Sequence, residues 1–229
     1  MSFYNKNSLA LDSATLKLNQ NRLEVSGLSK LIRASMLKDH DTGEHIARVA
    51  FMALELARLA NVKTQDNIAI FYASALHDVG KISIPDNVLT KKSGLSEEEW
   101  ETMRKHCASG AALFQQENST LEEACYKVAM FHHENFDGTG YPLGISGESI
   151  PVEARILSIV DAYDALTMER CYRSAMSHSQ ALTVMENELI GKFDKNLLNI
   201  FLQNHMNFDM IRLIFKQFGE IDNMSNFYA

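Results

Sequence analysis

Helical periodicity is the feature that most constrains this fold, because only three prolines and 11 glycines interrupt a chain of 229 residues. Apolar residues recur every three or four positions along most of the chain, the spacing typical of amphipathic helices that pack on a core. The stretch Thr42–Ala60 shows this spacing most clearly, at Ile46, Val49, Ala50, Ala53, Leu56 and Ala57. The pattern predicts a compact all-α domain that is long enough to bury a sizeable core.

Capping residues and helix breakers position the other predicted helices. Ser96 precedes three consecutive glutamates, so it is expected to begin a helix with acidic residues in its first turn. Thr64 is expected to cap a helix that runs towards Asp78. Further helices are predicted over Leu121–His133, Val152–Tyr163, His178–Ile190 and Lys195–Gln203. Glycines and prolines predict loops over Gly80–Gly94, Asp137–Pro151 and Gly191–Asp194.

The first residues follow a different pattern. Polar and apolar residues alternate over Thr15–Leu18 and Arg22–Val25, on either side of Asn19, and this alternation predicts a small hairpin. A coupling or disordered segment fits the same residues. The chain therefore divides into an N-terminal segment over 1–27, a helical domain over 28–205 and a C-terminal helical tail over 206–229.

Charge and cysteine content exclude several functional classes. The formal net charge is -7 and there is no basic block, so binding to long nucleic acid is not expected. No apolar run is long enough to span a bilayer, and the first residues do not resemble a signal peptide. Three cysteines without CxxC spacing argue against a disulfide framework and a cysteine zinc site. These features predict a soluble cytoplasmic protein.

Five of the eight histidines lie where metal ligands could come together. His45 follows Asp41 by four residues, so the two share one helix face. The other candidates are His77 with Asp78 at a helix end, His106 within a helix, the adjacent His132 and His133, and the pair Asp161 and Asp164. Each of these alone is more often an ordinary core or surface residue. His40, His178 and His205 are assigned to that ordinary class.

The combination of these residues points to divalent metals. A His-Asp pair at a helix end, with a histidine upstream and an aspartate downstream, offers nitrogen and oxygen ligands of the kind first-row metals accept. Three further histidines can hold a second metal, with Asp78 bridging the two through its carboxylate oxygens. Two adjacent metals form a clamp suited to displacement at phosphorus.

Several separated motifs occur in an order typical of one enzyme family. Residues 77–81 read His-Asp-Val-Gly-Lys, and residues 132–142 read His-His-Glu-Asn-Phe-Asp-Gly-Thr-Gly-Tyr-Pro. The remaining motifs are Ile84-Pro85-Asp86, Gly94-Leu95-Ser96, Met103-Arg104-Lys105-His106, Ile150-Pro151, Ala154-Arg155-Ile156, residues 161–167 and Gly191-Lys192-Phe193-Asp194. On these motifs the stretch Leu28–Gln203 resembles the HD-GYP domain, a subfamily of the HD-superfamily phosphohydrolases.

The resemblance implies a compact all-α HD-type domain, with a metal site in its core, that is a cyclic di-GMP phosphodiesterase. The family opens the ring to linear pGpG through metal-bridged hydroxide and often continues to GMP. Two divalent metals, iron or manganese, are implied: one at His45, His77, Asp78 and Asp161, the other at Asp78, His106, His132 and His133. The implied substrate-binding residues are Asp39, Lys81, Tyr141, Asp164, Arg170 and Arg173. Asp78 and Lys81 are the implied catalytic residues.

Two departures from the family pattern affect these expectations. Some members carry Glu where this chain has Asp41, and there it supports a third metal. Since Asp is one methylene shorter, two metals are favoured here over three. Cys171 stands where the family usually has proline, a residue that fixes φ, so the turn that carries Arg170 and Arg173 is expected to be looser.

Other functions compete with this interpretation. A weakly catalytic sensor or scaffold for cyclic di-GMP is disfavoured because the whole set of metal ligands is present. A phosphodiesterase for another ring, such as cyclic GMP-AMP, is barely distinguished by sequence, because base choice depends on pocket shape. A generic HD nucleotidase is disfavoured by the intact Gly140-Tyr141-Pro142 loop. The expected partners are the cyclic dinucleotide, signalling proteins and a second copy of the chain.

Overall fold

Helices make up the regular secondary structure in the described part of the chain. The computed structural model describes residues 23–38, 43–62, 67–115, 119–169 and 174–217, and these contain no strand. The α-helices are α1 (23–36), α2 (Gly43–Leu59), α3 (Asn67–Ala75), α4 (Asp86–Leu89), α5 (Glu97–Ala112), α6 (Thr120–Phe131), α7 (Val152–Thr167), α8 (His178–Asn187), α9 (Lys195–Gln203) and α10 (His205–Gln217). Short 3-10 helices cover Val79–Ser83, Gly147–Ser149 and Ile190–Lys192. The all-α prediction is confirmed.

The predicted helix boundaries agree with the structure to within a few residues. Ser96 caps α5 with a full capping box in which Glu99 reaches back to the Ser96 backbone. Ser119 caps α6, which begins at Thr120, one residue before the predicted start at Leu121. α7 runs on to Thr167, past the predicted end at Tyr163. The predicted cap Thr64 lies outside the described residues.

The predicted N-terminal hairpin is wrong for its second strand. Residues 23–25 belong to α1, whereas the first predicted strand lies outside the described residues. The alternation that indicated a strand is the beginning of a helical pattern, because Leu28 and Ile32 continue it at helical spacing and are buried in the core. α1 therefore runs across the predicted boundary at residue 27.

α2 lies at the centre of the hydrophobic core. It packs on α3, α7 and α10, while α3 also packs on α6 and α6 packs on α5. Val49, Met52 and Leu56 of α2 are fully buried among these helices. α10 belongs to the same core through Phe208, although a C-terminal tail was predicted to begin at residue 206. No helix in the described part of the chain is both long and apolar enough to cross a membrane.

A close backbone approach joins α5 to the Val79–Ser83 turn. A Cβ atom added to Gly80 would lie 1.9 Å from the carbonyl oxygen of His106 and 2.4 Å from the amide nitrogen of Gly110. Only glycine fits such a contact, because every other residue carries a Cβ. The contact brings His106 on α5 beside Asp78, which immediately precedes the turn.

Candidate metal centre

His77 and Asp78 lie in the turn that links α3 to the 3-10 helix Val79–Ser83. His77 is buried, and its Nδ1 hydrogen bonds to the carbonyl oxygen of Ser74 at 2.7 Å. The other ring nitrogen, Nε2, lies 3.1 Å from Oδ2 of Asp78. α3 is apolar around most of its surface and packs in the core. The turn at its end therefore places His77 and Asp78 next to the interior.

Asp78, His106, His132 and His133 form one cluster, called here the His106 group. One potential ligand atom from each lies within 4.8 Å of all the others. Oδ1 of Asp78 is 3.3 Å from Nε2 of His106 and 3.5 Å from Nε2 of His132. His106 comes from α5, and the adjacent His132 and His133 follow the end of α6. The group thus joins three separate parts of the chain.

Backbone carbonyls fix the orientation of two rings in the His106 group. Nδ1 of His106 hydrogen bonds to the carbonyl oxygen of Met103 at 2.7 Å, and Nδ1 of His132 to that of Val128 at 2.9 Å. In the neutral ring, a proton on Nδ1 leaves a lone pair on Nε2. The lone pairs therefore face Asp78, the arrangement in which imidazole binds a metal.

His45, His77 and Asp161 form a second cluster, called here the His45 group, whose ligand atoms again lie within 4.8 Å of one another. His45 is on α2 and Asp161 is on α7, and their Nε2 and Oδ1 atoms are 3.7 Å apart. The His45 and His77 rings meet edge to face at 5.7 Å between centroids. The structure thus brings all seven predicted metal ligands into two adjacent groups.

Asp78 is a member of the His106 group that also borders the His45 group. Its Oδ2 faces Nε2 of His77, whereas its Oδ1 faces Nε2 of His106 and of His132. Oδ1 is buried and has no hydrogen-bond partner among the residues that the structure describes. A buried carboxylate oxygen without a donor is costly. A divalent cation satisfies it, so these donor atoms fit a metal.

The ligands differ in how readily they carry a proton. Burial lowers the pKa of His106 to about 4, against the opposing charge of Asp78. Burial would also lower the pKa of His77, but the charge and hydrogen bond of Asp78, the charge of Asp161 and the Ser74 carbonyl together outweigh it and raise the pKa to about 9. Burial disfavours the charge of Asp78, yet Lys81 and His77 hold its pKa well below the usual range. His106 is therefore neutral at pH 7, while a metal must displace a proton from His77.

Lys81 and Tyr141, two predicted substrate-binding residues, both lie against the metal ligands. Nζ of Lys81 is 2.9 Å from Oδ2 of Asp78. The Tyr141 ring stacks on His133 with 4.6 Å between centroids, and the guanidinium of Arg104 lies 5.5 Å from the Tyr141 centroid on the solvent side. A cation over an aromatic face is attractive. Sequence reasoning assigned no role to Arg104, although the residue lies inside a quoted motif.

Asp164 is not on a surface that a substrate could contact. It is buried, its Oδ2 lies 2.7 Å from Nδ1 of His45, and both of its oxygens accept hydrogen bonds from Arg48. This geometry argues against the predicted substrate contact, because both carboxylate oxygens are engaged by protein. Sequence reasoning missed Arg48, whose signal is a charged residue among the mostly apolar buried residues of α2.

Glu134 is a third residue, after Arg104 and Arg48, whose role sequence reasoning missed. It is buried, and its Oε1 accepts hydrogen bonds from the backbone amides of Leu143 at 2.7 Å and Gly144 at 3.2 Å. These bonds tie the loop that carries Tyr141 to the turn after α6. Its position directly after the two histidine ligands was the available signal.

An open cavity is lined by His45 and His77 of the His45 group and by Asp78. Its walls are formed by Ser35, Met36, His45, Ile46, Ala75, His77, Asp78, Val79, Lys81 and Ile82. α1 therefore contributes to the cavity wall. Four predicted site residues lie outside the described part of the chain: Asp39, Asp41, Arg170 and Arg173.

Comparison with known proteins gives a consistent set of relatives. Residues 30–197 match the family model described as "HD domain". A probable cyclic di-GMP phosphodiesterase of Vibrio cholerae is 35% identical over 82% of this chain and 46% of its own length. A 3'3'-cGAMP-specific phosphodiesterase 2 of the same organism is 31% identical over 89% of this chain and 39% of its own length. The chain thus spans less than half the length of either relative.

A solved structure shares the fold. Bd1817, a HDG"Y"P protein from Bdellovibrio bacteriovorus, superimposes with a TM-score of 0.54 at 20% identity, over 74% of this chain and 55% of that protein. At this level of identity the likeness concerns the fold alone.

Proposed function

Because this chain belongs to the HD domain family and carries the HD-GYP signature, we propose that it is a metal-dependent phosphodiesterase that opens cyclic di-GMP to linear pGpG. The observation that carries the proposal is the convergence of histidine lone pairs from two separate helices on a buried carboxylate oxygen of Asp78. Curated relatives named as cyclic dinucleotide phosphodiesterases support the substrate class. Further hydrolysis to GMP is part of the same proposal.

We propose two divalent metals, iron or manganese, bridged by Asp78. One would be held by the His45 group and the other by the His106 group, since each offers nitrogen and oxygen ligands that such metals accept. When bound, two adjacent metals supply a nucleophile at neutral pH and stabilise charge during displacement at phosphorus. Elemental analysis should give two equivalents per chain. Three equivalents, with one lost in Asp41→Ala, would instead make Asp41 a ligand.

The residues beside the metals act on the substrate. Lys81 lies 2.9 Å from the Asp78 carboxylate, where its ammonium can donate to a phosphate oxygen and balance charge that develops there. Burial raises the pKa of Tyr141, so its hydroxyl keeps its proton and can donate a hydrogen bond. Arg170 and Arg173 are proposed to hold phosphates or guanine edges through their planar guanidinium groups. Asp39 is proposed to line the same dinucleotide site.

A phosphodiesterase for cyclic GMP-AMP is the second candidate. It is favoured by one observation: the 31% identity to a 3'3'-cGAMP-specific enzyme covers 89% of this chain. A sensor without catalysis is not favoured, because a binding module has no need of two converging ligand groups. The cytoplasm as compartment, and signalling proteins or a second copy as partners, remain predictions.

Product analysis with purified protein tests these alternatives. The chain is loaded with Mn²⁺ or Fe²⁺ without oxygen and incubated separately with cyclic di-GMP and 3'3'-cGAMP, and the products are separated. Linear pGpG formed fastest from cyclic di-GMP supports the proposal. Faster opening of cGAMP would reverse the substrate preference, and binding of either ring without turnover would make the chain a sensor.

A further inference from the structure

His45 is supported differently from three of the other histidine ligands. Nδ1 of His77, of His106 and of His132 hydrogen bonds to a carbonyl oxygen three or four residues earlier in its own chain segment. Nδ1 of His45 instead donates to Oδ2 of Asp164 at 2.7 Å, across 119 residues of sequence. The bond leaves Nε2 as the metal-facing atom. A side chain from another helix therefore sets the orientation of this one ring.

Arg48 in turn forms a bidentate salt bridge with Asp164. Its Nε donates to Oδ1 at 2.6 Å and its NH2 group donates to Oδ2 at 3.1 Å. The Arg48 and Asp164 side chains are 3% and 2% exposed, so water does not compete for these bonds. Arg48 is one turn beyond His45 on α2, and α2 therefore grips Asp164 of α7 with two side chains.

We propose that the Arg48–Asp164 pair positions His45 for metal binding. The carboxylate fixes the His45 ring with Nε2 turned towards the His45 group, and Arg48 both orients that carboxylate and cancels its charge. A buried hydrogen-bond acceptor thus reaches the ligand without adding net negative charge to the site. The proposal rests on the proposed metal function, and it assigns Asp164 a positioning role instead of a substrate contact.

A second ion pair, with a buried aspartate and a partly buried arginine, provides a control. NH1 of Arg155 on α7 lies 2.5 Å from Oδ2 of Asp194, and Oδ1 of Asp194 caps α9 through the amides of Asn196 and Leu197. Both acidic side chains are buried. They differ in what they contact: Asp194 accepts from the backbone of α9, whereas Asp164 accepts from the metal ligand His45. Loss of either arginine leaves an uncompensated buried charge, and only the loss of Arg48 should affect a metal.

The test measures the affinity of each metal site by chelator competition with Mn²⁺, without any substrate. Arg48→Met should weaken one of two metal equivalents by roughly 10-fold to 100-fold, the usual effect of removing a partner behind a ligand. Arg155→Met should keep both affinities. If Arg48→Met keeps both, or weakens both equally, the positioning role is overturned.

Two charge-free double variants serve if the single variant does not fold. Arg48→Met with Asp164→Asn retains an amide oxygen that can accept from His45, whereas Arg48→Met with Asp164→Ala retains none. The Asn variant should bind the weakened metal more tightly than the Ala variant, and equal affinities would overturn the proposal. A wild-type chain that binds no metal would refute the proposed function as well. Two tight metals in wild type, with no difference among variants, would refute only the role of this pair.

Discussion

Two groups of histidines in this molecule have different roles: one group offers metal ligands, and the other is engaged in hydrogen bonds within the protein. In the metal centre, ring nitrogens converge on Asp78, whose Oδ1 has no hydrogen-bond partner in the described part of the chain. His178 and His205, called here the distal pair, bond to each other at 2.8 Å between Nε2 and Nδ1. The hydroxyl of Tyr163 occupies the remaining nitrogen of His178 at 2.8 Å. A structural histidine therefore differs from a potential ligand in the hydrogen-bond partners that its two ring nitrogens already have within the protein.

The surroundings of the two groups differ as well. The distal pair joins α7, α8 and α10 and lies beside Asp209, which is bound by Arg212. Asp209 is already paired with Arg212, so it does not call for a cation. In the metal centre, Oδ1 of Asp78 has no donor among the described residues, and a divalent cation would satisfy it. The predictions that follow test this contrast, from the largest expected effect to the smallest.

Asp78→Asn should abolish the metal centre. The amide removes the charge that both groups face, so the loss should exceed the roughly 10-fold to 100-fold cost of losing a partner behind a ligand. Metal analysis and turnover of cyclic di-GMP measure the effect, and circular dichroism checks that the helices persist. Full metal content with full activity in this variant would rule out a centre built around Asp78.

Lys81→Ala should separate substrate chemistry from metal binding. Removing a donor that stabilises developing charge lowers kcat/KM by roughly 100-fold. Metal content should stay near that of wild type. Lys81 contacts the ligand Asp78, but its charged ammonium has no lone pair and so cannot itself bind a metal. Kinetics and metal analysis on the same preparation provide the measurement. A loss of metal equal to that in Asp78→Asn would instead make Lys81 part of the support for the ligands.

Glu134→Ala should release the loop that holds Tyr141 against His133. Two backbone amides lose the buried carboxylate oxygen that accepts their hydrogen bonds, at a cost of about 1–3 kcal/mol in unfolding free energy. KM should rise as Tyr141 loses its fixed position. Glu134→Gln is the control, because its carbonyl oxygen can still accept both bonds. Equal stability and KM in the two variants would show that these hydrogen bonds do not hold the loop.

Acid should weaken the distal pair by protonating His178, and no metal ion is involved in this effect. Burial lowers the pKa of His178, against the attraction of Asp209 and together with the repulsion of His205 and Arg212. The folded chain therefore takes up this proton less readily than the unfolded chain. The contribution to stability is present above a pH of about 6.5 and is lost as pH falls through the folded-state pKa.

Urea unfolding between pH 8 and pH 5 measures this effect. His178→Asn should cost about 1 kcal/mol at pH 8, the usual net value of a hydrogen bond, and should show a smaller loss on acidification than wild type. Its metal content should be unchanged. The same pH dependence in both proteins would remove the distal pair as its source.

The fold and the ligand set were largely predictable because both depend on local spacing. Helical periodicity gave α9 with its observed bounds, and the motif order identified seven residues that the structure brings into two groups. The role of Asp164 was not predictable, because it depends on burial and on Arg48, which is 116 residues away. The hairpin failed for a related reason: alternation over four residues is too short to outweigh the helical pattern that continues to Ile32.

The contact at Gly80 has a consequence for how the molecule tolerates mutation. Any substitution introduces at least one carbon where the carbonyl oxygen of His106 would be 1.9 Å away, well inside the 3.4 Å at which ordinary contact begins. α5 would have to move, and it carries a ligand. A residue with no side chain and no bond to a metal is therefore as constrained as the ligands themselves. A survey of harmful mutations would place Gly80 among the catalytic residues, although Gly80 only allows α5 to approach closely enough to position His106.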